Sequence, residues 1–206
     1  MSLEFKEIFE NVYLMENFLS EEEVTYLREF ADAATDEDWK KQNYENLRGQ
    51  AEHLFGPESE EEIQEYIARN SSGFYDDKVI RIPDEEFCHR ITERMRPFVE
   101  EFDIGYLHEI QRQYEGVSLD EHYDAGYDNR IKKALIIYIN DDFTDGELYF
   151  VGKDFKRKLP AGSAITFPAT EDYVHGVKPV GAGPTRYVIP SFLWEKGALA
   201  TYIEDH

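Results

Sequence analysis

Lys132-Lys133-Ala134-Leu135-Ile136-Ile137-Tyr138-Ile139-Asn140 is followed by Ser163-Ala164-Ile165-Thr166-Phe167, Tyr173-Val174-His175-Gly176-Val177-Lys178-Pro179 and Arg186-Tyr187-Val188-Ile189. Each run is short, rich in β-branched and aromatic residues, and bounded by Gly, Asp, Asn or Pro, which is the composition of strands joined by turns. The texture extends outward from these runs. Strands are predicted over 104–114, 119–124, 132–140, 147–151, 155–159, 163–167, 173–179 and 186–194. Short strands without intervening helices close most readily into a sandwich or rolled barrel of the jelly-roll kind, because closure limits exposed edges.

Upstream of Asp103 the pattern is helical. Val12 to Phe18 alternates weakly and reads as a first strand, and it runs into Ser20 with Glu23 three residues on, a capping box. Val24, Leu27, Phe30, Ala31 and Ala34 then recur at helical spacing. Ser59 with Glu62 repeats the signature before Ile63, Tyr66 and Ile67, and a further helix starts near Asp84 with Phe87, Ile91, Met95 and Phe98 inward, ended or kinked by Pro97. Residues 36–57 are polar and irregular and contain Trp39, Tyr44 and Phe55, so they read as a long loop, either a binding segment or plain surface. The expected organisation is one domain over 1–206, with 1–103 as helical support and 104–194 as a jelly-roll core.

Charge narrows the function. The net charge is −22, and residues 1–110 hold 29 acids against 11 bases while residues 111–206 hold 15 against 11. Such a field repels phosphate backbones, so nucleic acid is not the expected partner. The acidic half is either a solvated surface or a face that attracts a cationic peptide. Cys88 is the only cysteine, which excludes an internal disulfide and a thiolate metal site. The first residues lack the pattern of a signal peptide, and no stretch approaches the roughly 20 apolar residues that span a bilayer, so no membrane role and a cytoplasmic location are expected.

His122-Tyr123-Asp124 places an imidazole and a carboxylate two apart, hence on one side of a strand. His175 lies on another predicted strand of the same barrel and can return to the same cavity. Two imidazoles and a carboxylate on one face of a metal form the facial arrangement of non-haem Fe(II) oxygenases. Arg186 opens the last strong strand, where a guanidinium suits the far carboxylate of a dicarboxylate cosubstrate, and Tyr138 can add a hydroxyl to it. His53, His89, His108 and His206 read as ordinary core or surface histidines, though His108 shares strand parity with Tyr114 and can face the cavity. Phe192 and Trp194 read as packing residues, the Lys153-Lys158 cluster as a solvated hairpin, and residues 123–130 as either a rim loop or a bare turn.

These residues sit in ordered blocks that resemble the 2-oxoglutarate and Fe(II)-dependent dioxygenases, and within them the prolyl 4-hydroxylase-like group. The blocks are Phe18-Leu19-Ser20, Arg112-Gln113-Tyr114-Glu115-Gly116, His122-Tyr123-Asp124, Tyr138-Ile139-Asn140, Asp145-Gly146-Glu147-Leu148-Tyr149-Phe150, Gly162-Ser163-Ala164-Ile165-Thr166-Phe167, His175-Gly176-Val177-Lys178-Pro179-Val180 and Thr185-Arg186-Tyr187. The resemblance runs from residue 13 to residue 194. It implies an α+β, mainly β fold with a double-stranded β-helix (jelly-roll, cupin-like) core and the N-terminal helices packed on one face. It implies His122, Asp124 and His175 as iron ligands, Arg186 as the anchor of 2-oxoglutarate, Tyr138 sharing that anchor, and Tyr114 as a cavity tyrosine near the cosubstrate. Where the family often has two glycines, Asp145 stands in place of the first. Collagen-type members usually carry a lysine at the position of Arg186, so on this point the chain is similar to the arginine-using branch.

The implied cofactors are Fe(II) and 2-oxoglutarate, with ascorbate as an accessory reductant. The implied reaction uses O2 to hydroxylate an unactivated C–H bond, first of all in a prolyl residue of a peptide or protein. The alternatives are a hydroxylase of a free amino acid or other small molecule, and a non-catalytic metal-binding jelly-roll module holding zinc or nickel. Repair of alkylated nucleic acid is disfavoured by the charge and by the lack of an arginine after Arg186.

Overall fold

The computed structural model describes residues 3–40, 44–70 and 78–200. In chain order the elements are β1 (Lys6–Phe9), β2 (Val12–Met15), α1 (Glu21–Ala33), α2 (Tyr44–Phe55), α3 (Glu60–Asn70), β3 (Val79–Arg81), α4 (Glu85–Met95), β4 (Phe102–Ile104), β5 (Glu109–Gln113), β6 (Leu119–His122), β7 (Ile131–Tyr138), β8 (Leu148–Phe150), β9 (Lys156–Arg157), β10 (Ala164–Pro168), β11 (His175–Val177) and β12 (Arg186–Glu195). They fall into two compact units, residues 33–80 and the remainder of the chain.

The larger unit holds two antiparallel sheets. One has the order β1-β2-β10-β7-β12-β5, with β4 also on β12; the other runs β6-β11-β8-β9. The strand predicted over 104–114 is therefore two strands. β4 and β5 lie on the same edge of β12, one opposite Leu193 and the other opposite Arg186. The two sheets share a core. Val12, Ala134, Tyr138, Ile165, Phe167 and Val188 from the first pack with Leu148 and Phe150 from the second, and Phe150 meets Phe167 edge-on at 5.0 Å. This is the jelly roll expected from the strand pattern.

On β7, Leu135 and Ile137 are buried as completely as Ala134 and Tyr138, so both faces of this strand are covered, which accounts for its continuous apolar run. Helix α1 is tied to β12 by the Tyr187 hydroxyl, which donates to Asp32, and Thr92 of α4 accepts from the Leu107 amide just ahead of β5. The Leu19 amide donates to the Gly162 carbonyl (2.9 Å) just ahead of α1. Gly162 has φ +75°, and a Cβ there would lie 2.9 Å from the Leu19 carbonyl oxygen, so a glycine is required. The capping box of α1 forms as predicted: the Glu23 amide donates to Ser20 Oγ, and Glu23 accepts from the Ser20 amide. Glu23 also receives both terminal nitrogens of Arg94 on α4, at 2.7 and 2.6 Å, and Arg94 donates to the Phe18 carbonyl.

Asp84 caps α4 through the Phe87 amide, with Phe87, Ile91 and Met95 buried as expected. Phe98 is not inward. Pro97 turns the chain into a single 3₁₀ turn, Arg96–Phe98, and Phe98 is 38 % exposed. The predicted strand 155–159 shrinks to the two residues of β9, beside the turn that follows β8.

In the unit of residues 33–80, Leu47, Ala51, Ile63, Tyr66 and Ile67 form a small core between α2 and α3, and Arg48 bonds Glu60 across the pair. The segment read as a loop over 36–57 thus contains a twelve-residue helix, α2. Ser59 stands before α3 as predicted, but its hydroxyl donates back to the Phe55 carbonyl. Among the described residues no helix is long and apolar enough to cross a membrane.

Candidate metal centre

His122 ends β6 and His175 begins β11, and the two are direct partners across that antiparallel pair. Their ring centroids are 4.4 Å apart. Close approach of these strands depends on Gly176, where a Cβ would lie 2.7 Å from the Leu119 carbonyl oxygen and 2.9 Å from Tyr149 Oη. Asp124 is not on the strand with His122, as the spacing suggested. Tyr123 is still extended (φ −128°, ψ 138°), and Asp124 starts a 3₁₀ turn over Asp124–Gly126, pinned by the Ala125 amide on the Ala169 carbonyl. The carboxylate nevertheless reaches the histidines, with Oδ1 3.4 Å from His122 Nε2 and Oδ2 3.9 Å from His175 Nε2.

The donor atoms of His122, Asp124 and His175 lie within 4.8 Å of one another. Each histidine Nδ1 faces a backbone carbonyl, of Asp120 at 2.7 Å and of Tyr173 at 3.1 Å. A carbonyl only accepts, so Nδ1 carries the proton and Nε2 turns its lone pair to the centre, the usual orientation of a ligating imidazole. Asp124 Oδ2 is buried and accepts no hydrogen bond among the described residues. A buried carboxylate oxygen without a donor is costly unless a cation completes it. The set therefore fits a divalent ion of the kind held by two histidines and one carboxylate.

The two histidines differ in their electrostatics. Burial works against the charged form of His122, but the hydrogen bonds and charge of Asp124 and Asp120 outweigh it and hold its pKa above the ordinary histidine value. His175 is more deeply buried, and burial prevails over Asp124, with His122 adding to the effect, so its pKa is lowered toward the neutral form that binds metal.

Arg186 is 2 % exposed at the start of β12. Its Nη1 donates to Gln113 Oε1 and its Nη2 to Tyr138 Oη (2.9 Å), while Nε is buried without a partner. No carboxylate of the described residues pairs with it. A buried guanidinium held only by neutral acceptors is prepared for an anion. Its guanidinium lies over the rings of Tyr138 and Phe143. These rings and Phe150 and Phe167, which meet His175, belong to one cluster, so the anion anchor and the metal ligands line the same sandwich.

Tyr114 is not brought to Arg186. It is 44 % exposed with Arg112 over its ring, and the β5 residue that reaches the guanidinium is Gln113, registered opposite Arg186. Gln111 and Gln113 are both buried on one face of β5, while on the other face Ile110 is buried and Arg112 is only half-buried, so both faces are covered at the start of the strand and burial falls away on the second face toward Tyr114. Asn140 is a second residue the motifs did not single out. Its side chain accepts from the Tyr187 amide and donates to the Thr185 carbonyl, fixing the chain on both sides of Arg186. Asp145 (φ +53°) and Gly146 (φ +65°) are both left-handed, the reason a pair of glycines suits that turn and an aspartate is tolerated. His53 and His89 are exposed and His108 is half-buried; His206 lies outside the described residues. Trp194 packs with Ile131 and Ala169. The basic hairpin is spent on ion pairs of Lys153 with Glu10 and Lys156 with Glu147.

Residues 108–194 match the family model described as the 2OG-Fe(II) oxygenase superfamily. No curated protein sequence gives a significant match. Among solved structures, the viral collagen prolyl hydroxylase of Paramecium Bursaria Chlorella virus-1, in complex with 2OG, has a TM-score of 0.57 at 16 % identity over 90 % of this chain and 96 % of that one. A Pseudomonas putida prolyl-4-hydroxylase gives 0.51 at 14 % identity, covering 91 % and 94 %. A Trichoplax adhaerens prolyl hydroxylase, solved with a hypoxia inducible factor oxygen degradation domain peptide, gives 0.50 at 13 % identity, covering 93 % and 86 %. At these identities the likeness is one of fold.

Proposed function

We propose that this chain, whose residues 108–194 match the family model of the 2OG-Fe(II) oxygenase superfamily, is an oxidoreductase using Fe(II) and 2-oxoglutarate, and that it hydroxylates a prolyl residue of a peptide or protein. The observation that carries the reading is the coexistence, in one sandwich, of the His122–Asp124–His175 cluster and a buried Arg186 that has no carboxylate partner among the described residues. Prolyl hydroxylases among the structural neighbours support the substrate class.

His122 Nε2, Asp124 and His175 Nε2 would hold Fe(II) on one face. Bound together, Fe(II) and 2-oxoglutarate supply the O2-dependent oxidising power, with succinate and carbon dioxide as by-products. Arg186 would receive the distal carboxylate of the cosubstrate. Tyr138 accepts from Arg186 and keeps its own hydroxyl proton to donate to that carboxylate. Gln113 holds the guanidinium in plane for two parallel bonds. Phe150 and Phe167 exclude water beside His175, which strengthens each polar contact and protects the oxidant from side reactions. Ascorbate as accessory reductant and a cytoplasmic setting complete the proposal.

The test begins without oxygen: Fe(II) and 2-oxoglutarate should give a weak visible charge-transfer band, and air should then release succinate. Mass spectrometry of a proline-peptide library should show a gain of one oxygen. Asp124→Ala and His175→Ala should abolish both. Turnover on free proline alone would replace the peptide by a small molecule, and a colourless mixture without succinate would leave a metal-binding module.

A further inference from the structure

Tyr127 is the most exposed large apolar side chain among the described residues, at 64 %. It stands beside the metal centre, with its ring edge-on to His122 and centroids 6.3 Å apart. Its backbone is fixed. The Tyr127 amide donates to the carbonyl of the ligand Asp124 at 3.0 Å, and the same turn is tied to the large sheet through Ala125 and Ala169. The side chain itself has no hydrogen-bond partner among the described residues. The next residue along, Asp128, is paired with Arg130 through two nitrogens.

An aromatic face carries partial negative charge and attracts polarised C–H groups, such as those next to the nitrogen of a saturated ring. A rigidly mounted ring that gains little from the fold gains most from whatever covers it. The geometry points to Tyr127 as a specificity-determining residue whose ring face receives the saturated ring of the prolyl substrate at the metal centre. This inference rests on the prolyl reading above.

Steady-state kinetics on a proline peptide identified in the library, with Tyr127→Ala and Tyr127→Phe, test it. The alanine variant should raise the peptide KM roughly tenfold, the scale of one lost aromatic contact. Its kcat, its KM for 2-oxoglutarate and its Mn(II) affinity should match the wild type, and the phenylalanine variant should behave as wild type throughout. An unchanged peptide KM in the alanine variant would overturn the inference and leave the hydroxylase reading intact. So would an equal loss in the phenylalanine variant, which would assign the contact to the hydroxyl, or a parallel fall in Mn(II) affinity, which would reveal a structural role. If the wild type hydroxylates no proline peptide, this inference and the prolyl reading both fall, a failure visible before any variant is made.

Discussion

Arg186 is the residue whose surroundings say most about its purpose. It is fully buried, yet among the described residues it is bonded only to the neutral groups of Gln113 and Tyr138. A charge held this way burdens the free protein, and replacing such groups with apolar ones of similar volume is often neutral or stabilising. Arg186→Met should therefore melt no lower than the wild type without cosubstrate. Added 2-oxoglutarate should raise the melting temperature of the wild type, by the equivalent of about 2.7 kcal/mol at a hundredfold excess over Kd, and leave the variant unmoved. A large drop in the variant's own melting temperature would mean that the cation serves the fold. Gln113 was not legible in the same way: Ile110 and Gln111 are consecutive and both buried, so alternation alone does not name the inward face of β5, and the tyrosine beside Gln113 was the more conspicuous chemistry.

At the scale of elements, the metal centre depends on two strands lying unusually close. Gly176 permits the β6–β11 approach, and the oxygen that would meet an added methyl belongs to the Leu119 backbone, which cannot swing aside. Gly176→Ala should weaken Mn(II) binding at least tenfold while costing about 1–3 kcal/mol in stability, the usual range for overpacking; Mn(II) titration and urea unfolding measure the two effects. The α1–α4 tie gives a pH signature. Although partial burial raises the pKa of Glu23, the bonds from Arg94 and the Ser20 amide outweigh it, and the net shift is downward. The stabilisation is then present above the ordinary glutamate pKa and disappears as the pH falls through the lowered one. Glu23→Gln should lose roughly 1–2 kcal/mol at neutral pH, and its urea midpoint should converge on that of the wild type as the solution is acidified through that window. Parallel curves would remove Glu23 from the account.

Across the whole molecule, what the chain declares by itself is what depends on local spacing. Runs of β-branched and aromatic residues between turn formers mark most of the strands, because a strand buried on both faces must be apolar throughout. The α1 capping box forms between neighbours in sequence and was readable for that reason. The helix α2 was not, because Gly49 weakens it and its apolar residues Leu47 and Ala51 gain their burial only from α3. Likewise Phe98 follows the helical period of α4, yet Pro97 takes the chain off that course before it can be buried. The residue types of the centre, and the pairing of His122 and Asp124 two apart, were present in the sequence. Tertiary structure decided three further matters: that Asp124 arrives from a 3₁₀ turn, that His175 pairs directly with His122, and that Arg186 is left without a carboxylate. Each depends on segments distant in the chain meeting with defined register, and register is set by the packing of a complete sandwich, not by any window of neighbouring residues.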